Sequence, residues 1–378
     1  MMRLFTETTV QGVGPMKLTV IFMVVLLPAL SGMALGQSVE VENKGLIDST
    51  SLPNAPHGIG EIGSPPFGLG DDAPEWLRLN KMGPARFVAE SPGLTVYAGF
   101  LAVQRAALDG NPLVQNAADQ FTLFDSGSYE LNWATGLDLG IGHRFPSESF
   151  VDGWDARFMG AQGATAEESF TTPGPWVIPG DSTIWPQADI TGKYDSRVVS
   201  AEWNLEHDAD NGCFTCLAGI RWLQLDDHLS TKASFSNADA LTLATDTTNN
   251  LYGGQVGLRI AISKVGTPLE IVTRLKAGLY ANSSSVSSII TQYSQPGGWV
   301  GGQDATRLAF VGDLEFNVNY HLSDRWSTYL AWQMLWIEGV AVAGNQPQPG
   351  RLLAGDPAFD QSNGAWFSGI IAGVQFRW

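Results

Sequence analysis

The chain is poor in cysteine, histidine and charge. Its 378 residues include two cysteines and five histidines, and only 16% are Asp, Glu, Lys or Arg. Cys213 and Cys216 alone cannot build a disulfide framework or a four-cysteine zinc site. Five histidines leave little material for hydrolytic chemistry. Soluble domains carry about 25% charged residues, so the deficit speaks against an ordinary cytosolic enzyme. Positive charge is the scarcer sign, with 21 Lys and Arg against 38 Asp and Glu and a net charge of −17. A nucleic-acid binder needs a basic footprint, and no nucleic-acid partner is expected. Beyond residue 37 no apolar run is long enough for a membrane-spanning helix, which needs about 20 residues.

Glycine and tryptophan are plentiful, at 43 and 13 residues. Met16-Lys17 precedes an apolar stretch from Leu18 to Leu27, then Pro28 and small residues ending Ala34-Leu35-Gly36. This order of basic, apolar and small residues is that of a secretory signal peptide, so residues 1–36 are expected to be removed. No cysteine follows to take a lipid. Residues 37–93 are rich in Gly, Pro, Ser and Asn. They read as an extended lead-in, either a plain linker or a plug.

From residue 94 the pattern becomes period two, the mark of strands with two unlike faces. Ten segments are expected near 94–104, 131–144, 151–160, 197–206, 213–225, 250–263, 268–281, 306–320, 325–338 and 366–378. The connections alternate between short (145–150, 207–212, 264–267, 321–324) and long (105–130, 161–196, 226–249, 282–305, 339–365). Short turns at one end and long loops at the other are the habit of outer-membrane barrels, as is an even strand number. Residues 94–378 therefore read as an all-β transmembrane antiparallel barrel of ten strands, with twelve as the alternative, in a bacterial outer membrane. Trp203, Trp222, Trp326, Trp332, Trp336, Trp366 and Trp378 are expected at the membrane interfaces, where aromatic rings collect. The terminal Val374-Gln-Phe-Arg-Trp378 resembles the signal read by outer-membrane assembly machinery. The lipid bilayer and that machinery are the expected partners; oligomeric state is not legible.

Parity places Asp138, Arg157, Glu202, Glu206, Arg221, Arg259, Arg274, Lys276, Asp313, Glu315 and Arg377 on the inward faces, with Arg144 and Asp155. The two signs nearly balance. Ten strands stand between small filled barrels and wide aqueous ones. These charges then form either a plugging ion-pair network or the lining of a narrow polar pore. Cys213-Phe-Thr-Cys216 is open to structural, fortuitous and redox or metal readings, without further ligands to complete a site. Asp226-Asp227-His228 reads as a solvated loop start at the long-loop end; the other reading is part of a hydrolytic site at the mouth. No serine is matched to a histidine. No catalytic residue, cofactor or metal is assigned, and the chain is not expected to be an enzyme.

Several segments resemble the beta barrel porin-7 family of planctomycete-type bacterial outer-membrane proteins. They are Gly136-Leu-Asp-Leu-Gly-Ile-Gly-His-Arg-Phe145, Gly219-Ile-Arg-Trp-Leu-Gln-Leu-Asp-Asp227 and Asn249-Asn-Leu-Tyr-Gly-Gly-Gln-Val-Gly257. Lys276-Ala-Gly-Leu-Tyr280, Phe310-Val-Gly-Asp-Leu-Glu-Phe316 and the stretch from Tyr320-His-Leu-Ser-Asp-Arg-Trp-Ser to Leu335-Trp-Ile-Glu-Gly-Val-Ala-Val342 join them. The resemblance covers most of residues 94–378. It implies a single outer-membrane barrel, porin-like, passing small solutes through a narrow polar lumen or serving as a closed envelope barrel. It brings no substrate and no catalytic residues. A hydrolase at the loop mouth and adhesion through the long loops are the alternatives.

Overall fold

The computed structural model describes residues 85–87, 92–108, 110–146, 151–209, 214–235, 238–264, 267–292, 295–346 and 359–378. The expected signal peptide and most of the lead-in lie outside them. Among the described residues there are fourteen strands, in chain order β1 (Ala85–Phe87), β2 (Gly93–Arg105), β3 (Pro112–Asn116), β4 (Thr122–Asp125), β5 (Ala134–Arg144), β6 (Gly153–Thr171) and β7 (Trp176–Val177). The second half carries β8 (Asp189–Asp208), β9 (Thr215–Phe235), β10 (Ala238–Lys264), β11 (Leu269–Gln292), β12 (Gln295–His321), β13 (Trp326–Val340) and β14 (Asn363–Arg377).

Ten of these close into one antiparallel barrel, ordered β2-β5-β6-β8-β9-β10-β11-β12-β13-β14 and back to β2. They are the ten segments that alternation picks out. β1 adds three residues to β10 at the short-turn end. β3, β4 and β7 form a small separate sheet within the long connections.

The register fixes the barrel's shape. From Glu338 the paired residues run Phe310, Leu279, Gly254, Ile220, Trp203, Ala156, Ile141, Val96, Phe376 and then Trp326. One circuit therefore returns to β13 twelve residues lower. With a rise of about 3.4 Å and a strand spacing of about 4.8 Å, that offset tilts ten strands by about 40° and gives a backbone radius of about 10 Å. Trp336 and Trp326 are ten residues apart on β13. At this tilt they are separated by about 26 Å along the axis, which matches the apolar band of about 25 Å in membrane barrels.

Outside the barrel the faces are apolar, with Phe100, Leu137, Ile220, Tyr252, Leu279 and Leu330 all exposed. Trp326 packs on Phe376 and Phe376 on Trp378 at the lower level, and Trp336 stacks on Trp366 at the upper one. Trp222 falls near the upper level in the same register. Trp203 and Trp332, expected at an interface, fall near mid-height: Trp332 lies between Trp326 and Trp336 on β13, and the strand offset brings Trp203 level with it.

The long-loop end differs from expectation. Two of the expected loops, 226–249 and 282–305, are mostly strand. β9 runs thirteen residues past Trp222, about 34 Å along the axis at this tilt. β8, β10, β11 and β12 extend with it, so roughly half of the barrel wall rises well beyond the upper aromatic level. Segments such as Ser283-Ser-Ser-Val-Ser-Ser288 carry polar residues on both faces because both leave the lipid. That removes the alternation by which a strand is recognised.

The described parts of the connections, 106–108, 110–133, 172–188, 341–346 and 359–362, contribute to the space behind this wall. Leu113, Phe124, Tyr129, Trp176 and Ile178 from them form an apolar cluster with Ile190, Leu229, Leu243 and Ile290 of the strands.

The barrel interior as the candidate functional site

Period-two alternation sends even residues of β8 and odd residues of β9 and β12 inward, and tilt and register decide which of them meet. Arg157 on β6 is the centre of the lower network. Its Nε donates to Asp138 on the adjacent β5 at 2.6 Å, and its Nη1 donates to Glu315 at 2.7 Å. β6 and β12 are five strands apart in a ring of ten, so this second bond spans the lumen. Arg274 donates to the other oxygen of Glu315 at 3.1 Å.

A second group interlocks with the first. Arg221 donates to Asp313 at 2.9 Å and to Ser200 at 2.7 Å. Lys276 bridges Glu202 at 2.5 Å and Asp313 at 3.5 Å. Gln255 donates to Glu202, and Gln333 to Asp313. The side chains of Arg157, Arg221, Glu202, Lys276, Asp313 and Glu315 are all at least nine-tenths buried. By register this layer lies between the two aromatic levels, at about the middle of the apolar band. Charges there survive because each is paired and hydrogen-bonded.

The remaining inward residues lie nearer the short-turn end. Arg144 meets Glu206 at 3.3 Å and Asp208 at 2.8 Å, and Asn204 donates to Asp155 at 3.3 Å. Arg259 is buried on β10, and Arg377 closes the inner face of β14. Arg144, Asp155, Glu206, Arg259, Arg274 and Glu315 border a polar cavity of about 60 Å³, room for a handful of waters. Of the residues that parity sends inward, Asp138, Arg157, Glu202, Glu206, Arg221, Arg259, Lys276, Asp313 and Glu315 are buried, and Arg274 and Arg377 are partly exposed.

Three features were not legible beforehand. First, the interior is apolar above the ion pairs, where Leu101, Val103, Leu223, Leu251, Leu335, Ile337 and Phe367 are buried together. Second, Arg105 on β2 is buried on Asp227 of β9 and also donates to Ser196 at 2.8 Å. Tyr194 donates to the other oxygen of Asp227 at 2.8 Å. The available signal was parity: Arg105 continues Leu101 and Val103, and Asp227 continues Leu223 and Leu225. Third, Asn249 clasps the main chain after β13. Its Nδ2 donates to Ala341 O at 2.7 Å and its Oδ1 accepts from Ala341 N at 2.8 Å. Asn282 donates to Gly339 O at 3.0 Å. Gly339, at φ +82°, is a bulge one residue before β13 ends at Val340, after which the described chain is buried.

Asp226-Asp227-His228 is not a loop start. All three lie within β9. Asp227 points inward, whereas Asp226 and His228 point outward. His228 Nδ1 stands 2.6 Å from Asp246 Oδ1 on an exposed surface. The strand continues here because its inner face is still occupied, by Arg105 and Tyr194. The three residues therefore cannot converge on one ligand at the mouth. Cys213 lies outside the described residues, and Cys216 sits on the outward face of β9. Among the described residues no group of three or more His, Cys, Asp or Glu could hold a metal ion.

A closed ten-stranded barrel with an apolar belt, aromatic levels and polar interior defines a transmembrane β-barrel of the outer-membrane class. The model of the beta barrel porin-7 family (BBP7) matches residues 189–378, and the chain belongs to that family. It is an outer-membrane protein, porin-like in class, so the short turns are periplasmic and the tall wall is external. Comparison with curated proteins finds no match. Among solved structures, the chain is similar to the translocator domain of autotransporter NalP from Neisseria meningitidis. The identity is 13%, 76% of this chain and 90% of that one are covered, and the TM-score is 0.35. It is similar to the outer membrane protease OmpT from Escherichia coli at 10% identity, with coverage of 78% and 98% and a TM-score of 0.36. For Ail, the attachment invasion locus protein of Yersinia pestis, the figures are 9%, 76%, 100% and 0.23. At these scores the likenesses carry no inference about activity.

Proposed function

We propose that this protein is a non-enzymatic outer-membrane barrel whose lumen is shut at rest. It passes at most water and very small solutes unless the buried network is opened. The observation that carries this reading is the bond from Arg157 to Glu315, which ties opposite walls together at mid-membrane height. The apolar belt above it adds a second barrier, since an ion entering there loses its hydration without replacement. The inward charges act here as a plug, and Trp326 and Trp378 at one level with Trp222, Trp336 and Trp366 at the other act as interfacial anchors.

Planar-bilayer recording of the purified protein tests the proposal. The wild type is expected to show no sustained conductance steps, and a variant with both Arg157→Ala and Arg221→Ala should show them. Steady large steps from the wild type would establish an open pore instead.

A further inference from the structure

The external wall has two edges, and the chain treats them differently. On one side β6 runs beyond its pairing with β5, and Asn132 N donates to Thr165 O there at 2.9 Å, so a connection lies along that edge. On the other side β12 pairs with β11 from Gln295 onward but with β13 only from Phe310. β13 cannot follow, because Gly339 and the Asn249 clasp draw its continuation into the barrel. Val300–Leu308 is left as an edge with no described strand beside it.

Exposure agrees. Val300 and Leu308 are 70% and 71% exposed, and Gly302, Gln303, Asp304, Thr306 and Arg307 are exposed between them. Both faces of the strand are represented, so neither the outer surface nor the space behind the wall covers it. The direction of its backbone groups is also determined. Ser284 of β11 donates to Ala305 O, and Leu308 O faces Gly339 on the β13 side. Alternation along an antiparallel strand then points the N–H and C=O groups of Gly302, Asp304 and Thr306 at the open edge. Natural edges are usually blocked by proline, lysine or a bulge. Val300-Gly-Gly-Gln-Asp-Ala-Thr-Arg-Leu308 has no proline, lysine or bulge, and its charges are one Asp and one Arg on opposite faces.

We propose that this edge docks an extended, basic segment of another protein outside the cell, which adds to the wall as a further strand. Pairing by main-chain bonds is the recognised mode for such an edge. A second copy in the same membrane is a poor occupant. Two barrels related by an axis along the membrane normal would bring their tilted strands together at about 80°, twice the tilt of about 40°. The basic character follows from charge on the outward face: Asp304 stands outward, Asp246 stands outward two strands away beside His228, β11 between them contributes no basic side chain to that face above the membrane, and alternation places Arg307 on the opposite face. The inference is independent of whether the lumen conducts.

The test is residue-resolved amide exchange on the full protein in lipid nanodiscs, with a synthetic peptide of alternating threonine and lysine and a threonine–glutamate counterpart. In the free protein the amides of Gly302, Asp304 and Thr306 should exchange at least tenfold faster than those of Gln303 and Ala305. The lysine peptide should slow those three at least tenfold, and the glutamate peptide should not. Thr306→Pro removes one open-edge donor without breaking a bond to β11 and should abolish the protection. Thr306→Ala should retain it, and Asp304→Lys should reverse the preference toward the glutamate peptide. Slow exchange at this edge in the free protein would show that the chain covers it already and overturn the proposal. So would the absence of any slowing with the lysine peptide, unchanged protection in Thr306→Pro, or equal protection by both peptides.

Discussion

Arg157 and Glu315 meet at 2.7 Å although β6 and β12 stand on opposite sides of the barrel. The bond joins the wall that begins the fold to the wall that ends it. It also places a guanidinium between two carboxylates, Asp138 and Glu315. Such a group holds the sheet closed only while both carboxylates are present to balance it.

Replacing Arg157 with Leu leaves Asp138 and Glu315 short of a partner in a buried setting. Breaking a buried pair from one side costs about 3–5 kcal/mol. The variant should unfold at lower denaturant concentration than the wild type, read by the mobility of unheated protein on a gel. The triple change Arg157→Leu, Asp138→Asn, Glu315→Gln should recover much of that loss. If the single variant unfolds with the wild type, the bond does not hold the walls.

Arg105 and Asp227 tie β2 to β9 beneath the external connections. Arg105→Leu should cost about 3–5 kcal/mol for the same reason and should loosen the segment that follows it. Brief proteolysis of intact cells should cut the 106–133 connection faster in the variant. Equal cutting rates would show that the segment is held by its apolar cluster alone.

Asn249→Leu removes both bonds to Ala341 and strands a main-chain donor and acceptor in an apolar belt. Each unsatisfied group costs about 1–3 kcal/mol. Amide exchange at Ala341 and Val342 should rise more than exchange in β13 below Gly339. Uniform change along β13 would argue for general weakening rather than a released clasp.

The last strand closes the barrel through pairs from Phe367–Arg105 to Arg377–Thr95, and Trp378 N donates to Leu94 O at 2.9 Å. Deleting Phe376–Trp378 removes the ring cluster on Trp326 as well. The truncated chain should be exported yet remain unassembled and open to periplasmic proteases, because an unclosed edge in lipid leaves backbone groups unpaired. A fast-migrating folded band in the membrane fraction would refute this.

The leader proposed for residues 1–36 should be absent from the assembled protein. N-terminal sequencing of the membrane fraction is expected to start at Gln37. A chain starting at Met1 or Met16 would overturn the assignment.

The antiparallel barrel of ten strands and the alternation of faces along each membrane-spanning strand follow from the sequence alone. A strand in lipid must show apolar side chains outward, and alternation then assigns every neighbour. Arg274 with Glu315 and Lys276 with Asp313 were foreseeable as neighbours because they share adjacent strands. Alternation failed where both faces meet water or protein, and for that reason the tall hairpins at 226–249 and 282–305 read as loops. The partners across the lumen were not legible at all. Parity says which face a residue occupies, but whether Arg157 faces Glu315 depends on closure, the twelve-residue offset and the reach of the side chains. The same holds for Arg105 with Asp227, and for Val300–Leu308 of β12, beside which no described strand lies because the described chain after β13 is held inward by Asn249.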